Sequence, residues 1–124
     1  MYLLLAVALG GAIGSCLRHL ITLWTSGGAF PLGTLISNVL AGVLIGLVLE
    51  LDRMTSCFPP AMRLLLTTGF MGGLSTFSTF SLETVLLFQS GRAGHALANI
   101  GLNLFLSLGG VLLGGWLPRL FLRG

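Results

Sequence analysis

Lysine is absent from this chain, and of its 124 residues only six arginines and three carboxylates carry charge. Soluble domains are about one quarter charged. A surface this poor in charge cannot be wetted by water, so most of it must face lipid. The lack of lysine and of any basic cluster also removes nucleic acid as a partner, despite a net charge of +3. There are two cysteines. Cys16 falls in a predicted helix and Cys57 in a loop, so no disulfide framework is expected. His19 and His95 have no neighbouring ligand set, no Ser/His/Asp or Cys/His arrangement occurs, and no glycine-rich loop is followed by a lysine. Enzymatic chemistry therefore has nothing to stand on.

What is present is hydrophobic length. Hydrophobic residues make up 55% of the chain, and the mean hydropathy is +1.03. The charges, Arg18, Glu50, Asp52, Arg53, Arg63, Glu83, Arg92, Arg119 and Arg123, leave uncharged tracts at 1–17, 19–49, 64–82 and 93–118. A membrane-crossing helix needs about 20 apolar residues. Barrel strands would alternate in polarity, and these Leu/Ala/Gly runs do not. The expected fold is an all-α membrane protein, one domain over residues 1–124, with helices at about 2–24, 32–51, 61–89 and 95–117. The first tract lacks a basic leader and reads as a retained helix. Gly27, Gly28 and Pro31 mark the first turn, Pro59-Pro60 the second, and Pro118 the end of the fourth helix.

The third helix is predicted to break mid-membrane. Residues 67–81 read TTGFMGGLSTFSTFS, dense in glycine and β-branched residues that form helices poorly and in hydroxyls that bond freed backbone groups. The break is expected near Gly72-Gly73. Irregular backbone at membrane depth is tolerated only where protein covers it or water lines it. Glycines also recur four apart in every helix, as Gly10/Gly14, Gly42/Gly46, Gly69/Gly73 and Gly110/Gly114, which predicts close helix packing and oligomerisation. Helix parity places Arg53, Arg63, Arg119 and Arg123 on the side of the N-terminus and Arg18 and Arg92 on the other. That bias favours a cytoplasmic N-terminus, yet is weak enough to permit both orientations and an antiparallel dimer.

Four polar features stand out against the apolar background. Asn38 sits near the middle of helix two, where an amide must be bonded; it serves either a helix-to-helix hydrogen bond or an anion. Phe77 and Phe80 share a helix face among the hydroxyls of Ser78 and Thr79, and an aromatic ring offers an anion its electropositive edge. Asn99, Asn103 and Ser107 step four residues apart along helix four, as a polar path through an apolar helix would. Arg18 either snorkels to the interface or gathers anions in a vestibule, and Glu83 has a similar ambiguity.

The strings GGAIGSCLRH, GTLISNVLAGVLIG and GFMGGLSTFSTFSLE resemble those of the Fluc-type fluoride channels, the CrcB family, and the resemblance spans essentially the whole chain. It implies an antiparallel, dual-topology homodimer in the bacterial inner membrane, with two pores through which toxic fluoride leaves passively while chloride is excluded. By that likeness Phe77 and Phe80 are the ring edges lining the path and Asn38 its asparagine. Arg18 matches the helix-one arginine, and Asn99, Asn103 and Ser107 match the helix-four track. Backbone carbonyls of Gly72 and Ser75, from both subunits, would hold a structural sodium ion. Ser75 stands where the family usually has threonine, and Asn99 where it often has tyrosine. A proton-coupled exporter of the small multidrug type is the competing reading. It needs an acidic residue buried in helix one, and the only charge there is Arg18.

Overall fold

The computed structural model describes all residues from Met1 to Gly124 and is entirely helical. Helix α1 spans Tyr2–Trp24 and α2 spans Leu32–Thr55. The third apolar tract is built in pieces: α3 (Pro60–Leu64), a π-helical segment (Leu65–Met71), a single turn α4 (Gly72–Leu74), and α5 (Phe77–Gln89). Helix α6 spans Ala93–Leu122. Three of these, α1, α2 and α6, are long and apolar enough to cross a membrane.

The glycine pairs explain how the helices meet. The α1 pair, Gly10 and Gly14, lies against Gly69 and Gly73. A Cβ at Gly69 would stand 2.8 Å from the Val7 carbonyl oxygen, and one at Gly73 would stand 2.5 Å from that of Gly11. The α2 pair, Gly42 and Gly46, lies against Gly110 and Gly114 of α6. A Cβ at Gly42 would stand 2.7 Å from the Ser107 carbonyl oxygen, and one at Gly114 would overlap that of Val43. Backbones therefore touch in both pairs, which is how helices gain dispersion contacts in a solvent as apolar as themselves. All four pairs are used inside the chain, so none of them is left to argue for an oligomer.

The break in the third tract is real but falls later than Gly72-Gly73. Both glycines are helical, and the chain turns extended at Ser75 (φ −81°, ψ 154°) and Thr76 (φ −154°, ψ 120°). Gly73 is there for the approach of α1, whose Gly11 carbonyl oxygen would stand 2.5 Å from a Cβ, whereas Gly72 is exposed on the other side of the turn. The hydroxyl residues make the break, because Thr76 caps α5 by accepting the Thr79 N–H at 3.2 Å. The π-helical segment just before it was not foreseen. It widens the helix by one residue per turn where Gly69 crosses α1, and such bulges concentrate near functional sites.

Two helix ends also move. Helix α2 continues through Asp52 and Arg53 to Thr55 and stops at left-handed Ser56 (φ 51°). The charges after Leu51 thus lie on the helix, where Glu50 pairs with Arg53 three residues on. Helix α6 runs through Pro118 rather than ending before it. Proline costs one rung of the ladder, but the last turn is held by Arg119 Nε on Glu50 at 2.8 Å. The α2–α3 connection is fixed by Asp52, which accepts the Phe58 N–H at 3.1 Å and faces Arg63 at 3.6 Å.

Candidate functional site

Between α2, the π-helical segment and α6 lies an open groove of about 1370 Å³, with Asn38, Met71, Gly72, Ser75, Thr76, Phe77, Phe80, Asn103 and Ser107 on its walls. The fold thus brings together most of the residues singled out in the sequence, and it does so at the helix break.

Asn38 is the centre of the arrangement. Its Oδ1 accepts the Thr76 N–H at 2.7 Å, while its Nδ2 donates to the Thr76 carbonyl at 3.3 Å and to Asn103 Oδ1 at 2.9 Å. The carboxamide grips the peptide of the broken residue from both sides and so replaces the rungs that the break removes. Both amide hydrogens are committed within the chain, so the helix-to-helix role of Asn38 is present in full.

From Asn38 the bonds run on in one direction. Asn103 Nδ2 donates to Asn99 Oδ1 at 2.9 Å, Asn99 Nδ2 donates to Thr84 Oγ1 at 3.0 Å, and Thr84 Oγ1 donates to the Phe80 carbonyl at 2.8 Å. Side-chain amides thus link the break to the backbone that carries Phe80. Chains aligned this way polarise one another, and in a low dielectric they hold their members tightly. Asn99 is fully buried (0% exposed) and is not on the groove wall. Of the three residues on the α6 stripe, only Asn103 and Ser107 reach the groove. Ser107 Oγ is buried without a hydrogen-bond partner.

Phe77 and Phe80 stack obliquely, with centroids 5.5 Å apart and planes at 50°. Phe80 is partly buried, and Phe77 is 80% exposed. Both rings line the groove, and the electropositive edge of an aromatic ring is the part that can meet an anion. Ser78 and Thr79 are not on the groove wall. Their hydroxyls cluster with that of Thr76, at 3.3 and 3.1 Å, around the start of α5.

Arg18 lies away from the groove. Its Nε donates to the Gly73 carbonyl at 3.0 Å, at the end of the first half-helix. A guanidinium there satisfies a carbonyl orphaned by the break and meets the negative end of the helix dipole. Glu83 accepts from Thr34 Oγ1 at 2.8 Å through Oε1, while its Oε2 is buried without a partner.

The break also frees the carbonyls of Gly72 and Ser75. The donor four residues after Gly72 is the Thr76 N–H, which goes to Asn38, and the donor four residues after Ser75 is the Thr79 N–H, which goes to the Thr76 hydroxyl. Thr76 and Thr84 were missed by the sequence reasoning. Thr76 carried a usable signal as a hydroxyl residue at the head of an amphipathic run. Thr84 carried none, because its partner Asn99 is placed only by tertiary packing.

Comparisons with known proteins find relatives along nearly the whole chain. Residues 5–115 match the family described as CrcB-like protein, Camphor Resistance (CrcB). A Clostridium perfringens protein named fluoride-specific ion channel FluC is 45% identical over 97% of this chain and 96% of its own length. A Serratia proteamaculans protein of the same name is 50% identical over 85% of this chain and 84% of its own. One from a Sulfurovum species is 46% identical over 91% and 90%. With a family match that spans both glycine-paired helix contacts and the broken helix between them, the chain belongs to the CrcB family.

Proposed function

We infer that this protein is a fluoride-selective channel of the bacterial inner membrane, a multi-pass protein that lets fluoride leave the cell passively and performs no catalysis. The observation that carries the reading is the groove at the helix break. It sets aromatic rings, hydroxyls and carboxamides side by side within an apolar tract, in a chain of the family whose relatives are named fluoride-specific channels. Fluoride is strongly hydrated, so a path must offer hydrogen-bond donors in sequence without binding any one step too tightly. Ser107, with its unpartnered hydroxyl, and Asn103 supply one wall, and the edges of Phe77 and Phe80 supply the other. Asn38 joins them through Nδ2, whose longer bond to the Thr76 carbonyl is the one an anion would compete for. Asn99, Ser78 and Thr79 hold this wall in place. Arg18 adds positive potential near the break, and closure of the open groove by a second copy would supply the narrowing that rejects the larger chloride ion.

The broken tract supplies the fourth crossing of a single four-helix domain. The groove is open along its length and Phe77 is exposed within it. These features fit a second copy of the chain packed on this face, inserted in the opposite orientation, so that two such paths form per dimer. The freed carbonyls of Gly72 and Ser75 suit a hard cation such as sodium. Two chains would contribute four oxygens to it, and its role would be to hold the two breaks together. Expression in a bacterium lacking its own fluoride exit route should restore growth in millimolar fluoride. The Phe80→Ile variant, inserted to the same level, should not. Equal rescue by both would remove the rings from the path, and no rescue by either would overturn the channel reading.

A further inference from the structure

A second groove, of about 820 Å³, runs between α2 and α6 toward the end of the molecule where the chain's carboxy-terminal arginines lie. We propose that it binds the headgroup and one acyl chain of an anionic phospholipid, at a site that adjoins the groove of the ion path through Leu49 and Val111 but shares none of its polar residues. The polar end is built on Glu50. This carboxylate accepts from Arg53 Nε at 3.0 Å, from Arg53 Nη2, and from Arg119 Nε at 2.8 Å. The carboxylate side chain is 9% exposed, and the two arginine side chains are 59% and 48% exposed. Glu50 therefore lies beneath and fixes the two guanidinium groups without covering them. Arg53 Nη1 and both terminal nitrogens of Arg119 have no hydrogen-bond partner within the chain. One carboxylate against two guanidiniums leaves one positive charge and a set of preordered donors, the geometry that suits a phosphodiester.

The rest of the groove identifies the source of that phosphodiester. Gly46 and Gly115 form its floor, and exposed Leu112 and Leu113 line it on the hydrocarbon side. Trp116, half exposed, stands between these leucines and Arg119, the position an indole takes at headgroup level. A free inorganic anion would meet the arginines but gain nothing from the apolar trough. A lipid tail fills it. Net positive charge at the interface then selects an anionic lipid over a zwitterionic one, by roughly fivefold for about 1 kcal/mol per uncompensated arginine.

Trp116 makes the test direct, since Trp24 at the far end is the only other tryptophan. In a Trp24→Phe background, full-length protein is reconstituted in phosphatidylcholine vesicles with small additions of brominated phosphatidylglycerol or brominated phosphatidylcholine. The brominated phosphatidylglycerol should quench Trp116 with about fivefold higher apparent affinity. Arg53→Gln, which leaves Glu50 paired with Arg119 and so keeps the fold, should abolish the preference while leaving fluoride flux intact. Arg123→Gln, outside the groove, should leave the preference unchanged. Equal quenching by the two lipids in the parent protein overturns the proposal, as does an undiminished preference in Arg53→Gln.

Discussion

Replacing Asn38 by alanine removes three hydrogen bonds at once: those to the Thr76 N–H, to the Thr76 carbonyl and to Asn103 Oδ1. At about 1 kcal/mol net per bond, the loss is on the order of 3 kcal/mol. It is concentrated at the one place where the third tract has no ladder of its own. Asn38→Asp is the sharper perturbation. It preserves shape and the acceptor for the Thr76 N–H, but sets an oxygen against the Thr76 carbonyl and Asn103 Oδ1, turning two attractions into repulsions. The aspartate variant should therefore be at least as impaired as alanine, although it is closer to isosteric. Two assays separate the effects. Initial fluoride efflux from vesicles reports the path, and the fraction of protein surviving a heating step as a monodisperse peak on gel filtration reports the fold. The break geometry predicts at least tenfold slower efflux for both variants and a lower survival temperature. Normal efflux and stability in Asn38→Asp would refute the claim that this carboxamide shapes the break.

Thr84→Val deletes both the acceptor of Asn99 and the donor to the Phe80 carbonyl, leaving a buried amide unsatisfied. A loss of about 1–3 kcal/mol is expected in thermal stability, with a reduction in flux smaller than that of Asn38→Ala. Gly69→Ala brings a Cβ to 2.8 Å from the Val7 carbonyl oxygen and should cost about 1–3 kcal/mol through forced separation of α1 from the π-helical segment. Gly101→Ala, where a Cβ meets nothing within 4 Å, should be neutral or stabilising by up to about 1 kcal/mol in the same heating assay. Exchange of sodium for a large organic cation should lower the stability of the assembled protein if the freed carbonyls of Gly72 and Ser75 hold that ion. Identical melting in both salts would count against it.

The apolar tracts, their ends to within a few residues, and the existence of a break were legible because each rests on local chemistry: hydropathy, proline position, and the concentration of glycine and hydroxyl residues. The position of the break was not. Gly72 and Gly73 look like helix breakers in isolation, but both stay helical, and at Gly73 it is the approach of α1 that requires the missing side chain. The stripe Asn99–Asn103–Ser107 was legible as a shared helix face, and Asn38 as a buried amide. That three of these join in one chain of donors ending at Phe80 depends on how α2, α5 and α6 are set against one another. Arg18 reads as an interfacial side chain from its sequence neighbours, yet it caps a half-helix whose end only the fold brings near. The Glu50–Arg53–Arg119 cluster was hidden for the same reason, since Arg119 lies far from its partners along the chain.

The central claim is that the groove at the broken helix conducts fluoride and rejects chloride. It is tested most directly by purified protein in vesicles loaded with equal potassium fluoride and potassium chloride, with valinomycin added to release the charge. The account predicts rapid loss of fluoride with chloride retained, and loss of the fluoride signal in Phe80→Ile. Release of both anions at similar rates, or of neither, would contradict it.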